Sequence, residues 1–300
     1  MHRNAPDTPP RAMPDTSPDT VLQARALFPR GLVQPEGSFR FSVDALLLAA
    51  FAGEALTEGR GHARGRGRIA PAARAASGHG KPLAFADLGT GCGVVGLALL
   101  LAHPRLTGTG IDIDEELADA ARRNAAMLGL TERFRVLRAD LVAPPEVSAF
   151  DVLPPAGSMD LVVANPPYRL PGSGRLSPSG QRTRALFETH GTLPAFAGAA
   201  ARLLCAGGRS CWVYGPDRLP DLLLALRATG QEPRRLRCVY SRAHGPATRV
   251  LVEARRAGRP GLVVEPPLVL NAGQGAATAL TGEALAFCPL LACNAKPRGR

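Results

Sequence analysis

Asp87-Leu-Gly-Thr-Gly-Cys-Gly93 stands between the apolar run Leu83 to Leu88 and the helix-forming run Val94 to His103. Glycines in that place let a chain turn sharply from a strand into a helix, and let a ligand lie against the backbone without meeting a Cβ. Outward from this loop, short apolar strands alternate with helices. Thr109 to Ile113 reads as a second strand, Glu115 to Leu128 as a second helix and Phe134 to Leu137 as a third strand. Met159 to Ala164 follows as a fourth strand, then a helix from Thr192 to Leu204 closed by Gly207-Gly208. Ser210 to Tyr214 is a fifth strand, Leu219 to Thr229 a helix, and Leu236 to Tyr240 with Arg249 to Ala254 a closing hairpin around Gly245-Pro246. This alternation predicts an α/β fold with a doubly wound, Rossmann-like sheet, mostly parallel, with an antiparallel edge strand at the C-terminal hairpin.

The 300 residues, 45% of them apolar, suffice for one such domain with extra loops. Residues 1–20 hold many Pro, Asp and Thr and little to bury, so they read as a disordered tail. A single domain is expected from Val21 to Phe287, and a basic tail over 288–300. Ser42 or Asp44 is placed to cap a helix that carries the apolar run Ala45 to Phe51. Residues 54–82 are rich in Gly, Arg and Ala without periodicity, and read as a flexible insertion that is either an RNA-binding arm or a neutral surface loop.

Net charge is +11, which suits a polyanionic partner. Only Lys81 and Lys296 among the 36 basic residues are lysines, however, so coding bias toward Arg explains part of it. The six cysteines form no C-x-x-C pair and no zinc spacing, so no metal is expected and the thiols read as small hydrophobes in a reducing cytoplasm. The first thirty residues lack the apolar segment of a signal peptide, and no apolar run approaches the ~18 residues of a membrane span. His103, His190 and His244 form no constellation.

Two cofactors compete for the glycine loop. Gly91, Gly93 and Gly96 make a literal G-x-G-x-x-G, which suits a dinucleotide but is weak alone. Asp87, two places before Gly89, favours S-adenosylmethionine: a carboxylate helps hold a cationic amino-acid end, whereas it would repel a pyrophosphate. Asp112 ends the second strand nineteen residues after Gly93, where a carboxylate accepts ribose hydroxyls from either cofactor. Asp140 is then placed to accept the adenine amino group, with Leu141 packing on the ring. An ordinary strand-end Asp is the plain alternative for Asp140. The cofactor set is Asp87, Gly89, Gly91, Gly93, Asp112, Asp140 and Leu141.

The fourth strand ends in Asn165-Pro166-Pro167-Tyr168, at the sheet edge where open α/β folds bind ligands. An amino group conjugated to a ring is a poor nucleophile because its lone pair is delocalised. The Asn165 side-chain oxygen and the Pro166 carbonyl can accept its two N–H bonds and push the nitrogen toward tetrahedral geometry. The prolines stiffen the loop, and Tyr168 offers a ring on which a flipped base stacks. Asn165, Pro166 and Tyr168 are therefore the candidate catalytic residues.

Phe39-Arg-Phe-Ser-Val-Asp-Ala-Leu-Leu-Leu-Ala, the glycine loop and Ala164-Asn-Pro-Pro-Tyr168 occur in that order. Together with Glu232 to Tyr240, Arg249 to Ala254 and Gly261 to Leu270, they resemble the bacterial tRNA(Val) (adenine-N6)-methyltransferases, which modify position 37. The resemblance implies a class I methyltransferase fold, S-adenosylmethionine as donor and tRNA as partner. The cytoplasm is the default location from the cysteine usage, and a monomer is assumed, since the sequence does not give the oligomeric state. Leu186 and Phe187 depart from the Arg-His expected before Glu188, which weakens any RNA role for that loop; Arg169, Arg175, Arg182 and Arg184 face phosphates or solvent alike. Three alternatives stand: methylation of a release-factor glutamine, methylation of rRNA guanine or DNA adenine, and an idle RNA-binding module. Release-factor enzymes carry an N-terminal helical domain, for which the ~60 residues before the insertion are too few.

Overall fold

The computed structural model describes residues 16–36, 41–58, 82–141, 151–166, 192–273 and 278–294. Before the sheet come helices α1 (Pro18–Leu27) and α2 (Val43–Glu58). The expected alternation then appears as β1 (Leu83–Leu88), α3 (Val94–Ala102), β2 (Leu106–Asp112), α4 (Glu115–Met127), β3 (Phe134–Arg138) and β4 (Met159–Ala164). It continues through α5 (Leu193–Leu203), β5 (Leu204–Tyr214), α6 (Leu219–Ala228), β6 (Gln231–Arg242) and β7 (Ala247–Arg256). Short strands β8 (Val263–Val264), β9 (Leu268–Ala272) and β10 (Ala279–Leu280) precede α7 (Gly282–Phe287) and a final 3-10 helix, Pro289–Asn294.

The strands lie in the order β3-β2-β1-β4-β5-β7-β6-β9-β10, with β8 also beside β6. β3, β2, β1, β4 and β5 are mutually parallel, and β7 runs antiparallel to both β5 and β6. The hairpin therefore supplies the antiparallel strand. It is not the last in the sheet, because β9 continues it parallel to β6 and β10 closes that edge.

Period-two patterning covers both faces. Phe85, Leu161, Val163, Cys211 and Val213 point into a core shared with α2, α3 and α4. Their neighbours Ala86, Leu88, Val162, Ala164, Trp212 and Tyr214 point into a second core with α5 and α6. Strands buried on both sides read as unbroken apolar runs, as they do here.

Several boundaries differ from expectation. Helix α1 starts at Pro18, before Val21. Ser42 is the cap of α2, its hydroxyl accepting the N–H of Asp44 at 3.3 Å, and the helix runs to Glu58, through the first residues assigned to the insertion. Residues 59–81 lie outside the described residues, as do 1–15. Gly207-Gly208 does not end a helix: β5 starts at Leu204, and the glycines sit where its register with β4 shifts, Gly207 at φ +78°. A glycine pair in a strand marks such an irregularity. The packed chain also extends past Phe287, because Cys288 and Leu291 bury their side chains in the α2 core; only 295–300 of the expected basic tail lie outside the described residues. Among the described residues no helix is long and apolar enough to cross a membrane.

Candidate active site

The strand order reverses between β1 and β4: the chain leaves β1 toward β2 and β3, then returns to β4 on the other side. A crevice opens at the carboxyl ends of strands at such a switch point. Leu88 of β1 pairs with Ala164 of β4. The glycine loop and Asn165 therefore leave the sheet side by side.

The loop is held from beneath. The N–H groups of Gly89 and Thr90 both donate to the Ile111 carbonyl, at 2.8 and 3.0 Å, and Gly93 donates to the Thr90 carbonyl at 2.9 Å. Gly89, Gly91 and Gly93 all take positive φ, at +67°, +56° and +88°, which side chains rarely adopt. A Cβ on Gly89 would meet Phe196 at 3.3 Å and one on Gly93 would meet Leu97 at 3.2 Å; at Gly91 nothing lies within 4 Å. Gly91 is thus the open part of the cradle, where a ligand can approach the backbone.

Two carboxylates anchor it. Asp87 is 1% exposed, and its Oδ2 accepts the Thr90 hydroxyl at 2.8 Å and the Gly96 N–H at 3.1 Å. Asp112 is 4% exposed; Oδ2 accepts the Gly91 N–H at 2.8 Å and Oδ1 the Asp114 N–H at 3.0 Å. Burial pushes Asp87 up to about 7 and Asp112 up to about 6, since a charge is costly away from water. Asp114 in turn caps α4 through the N–H groups of Glu116 and Leu117. The role of Asp87 in shaping the loop, through Thr90 and Gly96, is absent from the sequence-based expectation. The threonine inside the glycine loop was the available signal.

The third glycine of the G-x-G-x-x-G serves packing. A Cβ on Gly96 would meet the Phe134 ring at 2.6 Å, and one on Gly110 would meet it at 2.8 Å. The sheet also departs from the all-parallel 3-2-1-4-5-6 order of dinucleotide-binding folds, by the antiparallel β7 between β5 and β6.

Asp140 is buried just beyond β3, beside Asp112, to whose carbonyl Ala139 donates at 2.8 Å. Leu141 is half-buried against the α5 core. Asn165 is half-buried past β4, and its Oδ1 is shut off from solvent with no hydrogen-bond partner among the described residues. An acceptor left this way costs roughly 1–3 kcal/mol. Pro166 is buried beside it. Tyr168 and the whole stretch 167–191, with its four arginines, lie outside the described residues.

Residues 79–177, which contain the loop, both carboxylates and Asn165, match the family model "Methyltransferase small domain". A tRNA1(Val) (adenine(37)-N6)-methyltransferase of Porphyromonas gingivalis is 33% identical over 57% of this chain and 65% of its own length. The corresponding protein of Dickeya chrysanthemi is 32% identical over the same shares. The matched segments thus span just under two thirds of these relatives. A release factor glutamine methyltransferase of Chlorobaculum tepidum is 38% identical over 27% of this chain and 26% of its own. Among solved structures, a predicted O-methyltransferase of Agrobacterium tumefaciens superposes with a TM-score of 0.58 at 20% identity, covering 82% of this chain and 96% of that one. A putative class I S-adenosylmethionine-dependent methyltransferase of Listeria monocytogenes superposes with a TM-score of 0.51 at 12% identity, covering 82% and 71%. Residues 79–177 thus resemble a methyltransferase small domain, within a chain whose fold is that of class I methyltransferases.

Proposed function

We propose that this protein transfers a methyl group from S-adenosylmethionine to the N6 amino group of an adenine in tRNA, at position 37 of a valine tRNA. The observation that carries the proposal is the orphaned Asn165 Oδ1. It emerges beside the glycine loop at the switch point, where an incoming N–H would complete it.

The residues present fit the cofactor. Gly91 leaves room for it, the Asp112 carboxylate suits its ribose hydroxyls, and Asp140 with Leu141 suits its adenine. Asp87 adds negative charge beneath a loop that would receive a cation. When bound, the cofactor supplies an electrophilic methyl group on a sulfonium centre. The protein's own task is to present the nucleophile. Asn165 Oδ1 and the Pro166 carbonyl accept the two amino N–H bonds and turn the nitrogen lone pair out of conjugation. Tyr168 stacks on the base once it has left its own stack. Positioning supplies the rate, and no general base is required because the methylated nitrogen sheds its proton readily to water.

The tRNA acceptor is supported by how much of the relatives is matched. The Porphyromonas and Dickeya tRNA enzymes are matched over 65% of their own length. A release-factor enzyme of Rhodospirillum rubrum, 32% identical over 56% of this chain, is matched over 54% of its length, and the Chlorobaculum release-factor enzyme over 26%. Moreover, α2 is built into the core of the methyltransferase sheet and belongs to no separate helical domain among the described residues. Cytoplasmic action follows from a tRNA substrate. A release-factor glutamine is the second reading, since that shorter match is the more identical and an amide nitrogen poses the same lone-pair problem.

The test is incubation of the full chain with labelled S-adenosylmethionine and unmodified total tRNA, followed by nucleoside mass spectrometry. N6-methyladenosine in valine tRNA is expected. Label on a release-factor glutamine and none in tRNA would install the second reading, and label on neither would overturn both.

A further inference from the structure

Asn124 lies on α4, far in sequence from the glycine loop, and is completely buried. Its amide is fully used. Oδ1 accepts the Val33 N–H at 2.7 Å, while Nδ2 donates to the Val33 carbonyl at 3.0 Å and to the Cys92 carbonyl at 2.8 Å. One side chain thus grips both backbone groups of Val33 and, with its remaining hydrogen, the cofactor loop. The amide has only one orientation that fits: reversed, it would set donor against donor and acceptor against acceptor.

Val33 belongs to a strap, residues 28–36, between α1 and α2. Phe28 and Leu32 bury their side chains in the α2 core. The Cys293 thiol donates to the Phe28 carbonyl at 3.3 Å, and the Arg30 guanidinium donates to the Cys293 carbonyl. Upstream, Arg25 Nε donates to the Leu128 carbonyl at 2.8 Å, at the C-terminal end of α4. The strap is therefore pinned to α4 and to the C-terminal turn, and through Asn124 to Cys92.

A loop with three glycines is intrinsically loose. Its other anchors come from the ends of β1 and β2: the Ile111 carbonyl, Asp87 and Asp112. Asn124 is, among the described residues, the anchor that also holds a segment outside the sheet. We propose that Asn124 is a positioning residue for the cofactor loop, and that it makes the strap 28–36 part of the cofactor site. The inference rests on the proposal that the loop binds S-adenosylmethionine. Order in the strap and order in the loop are then coupled, and the coupling is reciprocal: what fixes one steadies the other.

Three full-length variants test this: Asn124→Ala, Asn124→Ser and Gln231→Ala. Gln231 is also a completely buried amide, donating to the Ala197 carbonyl at 2.9 Å and the Thr229 hydroxyl at 2.8 Å, and its hydrogen bonds among the described residues reach neither the loop nor the strap. It serves as the control for lost stability alone. S-adenosylhomocysteine affinity is measured by titration calorimetry well below each melting temperature, and amide hydrogen exchange is followed over residues 28–36. Both Asn124 variants should bind at least tenfold more weakly, while Gln231→Ala, though less stable, binds as wild type does. Added ligand should slow exchange in the strap of wild type and of Gln231→Ala, and not in Asn124→Ala. Should Asn124→Ala fail to fold, the serine variant, which keeps a small polar group, carries the comparison. Unchanged affinity in the folded Asn124 variants overturns the inference alone. A wild-type protein that binds no S-adenosylhomocysteine overturns the cofactor assignment and this inference with it.

Discussion

Asp112 Oδ2 receives the N–H of Gly91 at 2.8 Å, so the carboxylate expected to meet the cofactor's ribose also fixes the open residue of the glycine loop. On the proposed reading one group has two tasks, and a substitution removes both. Asp112→Ala should raise the S-adenosylmethionine dissociation constant by at least tenfold. It leaves the Gly91 and Asp114 N–H groups without their shared acceptor. Asp112→Asn retains the shape and one acceptor, so its loss should be smaller. Titration calorimetry separates them, and equal affinity in wild type and Asp112→Ala would remove the ribose role.

The buried carboxylates make binding depend on pH. Asp112 titrates at about 6 and Asp87 at about 7, both above the ordinary value of 3.8. Between about pH 4 and 7 the folded, ligand-free protein holds more protons than the unfolded chain. Stability from these two groups is therefore greatest below about pH 4 and is lost as pH rises to 7. Cofactor affinity runs the other way, because ribose hydroxyls and a cationic end both need ionised carboxylates. Affinity should rise with pH by up to about tenfold per unit between 6 and 7, where Asp87 alone must lose its proton, and by up to about a hundredfold per unit below 6, where both must. Calorimetry at pH 5, 6, 7 and 8 should show the rise. A flat profile would mean the carboxylates do not face the ligand's polar groups.

Gly96 is a packing residue whose loss should reach the site through Asp87. A Cβ there would sit 2.6 Å from Phe134 Cε2, and the Gly96 N–H is one of the donors to Asp87 Oδ2. Gly96→Ala should lower stability by about 1–3 kcal/mol. Adding Phe134→Leu, which removes the obstructing ring atoms, should restore part of it. Thermal unfolding of the single and double variants measures the coupling, and strict additivity would count against the contact.

The sequence made legible what obeys local rules. The glycine loop, Asp112 at a strand end and Asn165 past an apolar run each follow from residue type and spacing. Phe85 against Ala86, and Val162 against Val163, follow from the two-residue period of a strand. What escaped depends on pairings made through space. Asn124 and Val33 are 91 residues apart, and no local pattern joins them. Gly207-Gly208 reads as a helix stop by propensity, yet pairing with β4 carries the strand through it with a shift in register. Strands β8 and β9, split by Pro266-Pro267, are too short to show a period. Cys288 and Leu291 look like the start of a polar tail until α2 offers them a surface.

Asn165 gives the sharpest separation of function from stability. Its Oδ1 is buried and lacks a partner among the described residues, so the folded protein bears that cost without return. A structural asparagine would lose stability on replacement; one held ready for a substrate donor need not. Asn165→Ala should leave the melting temperature unchanged or higher and cofactor affinity within about twofold. Methyl transfer should fall by about 100-fold or more, the scale of losing one group aimed at a reacting centre. Single-turnover transfer at saturating cofactor is the measurement that decides. Retained transfer would show that the amino group is held by something other than this amide. A fall in stability with transfer intact would make Asn165 a scaffold residue.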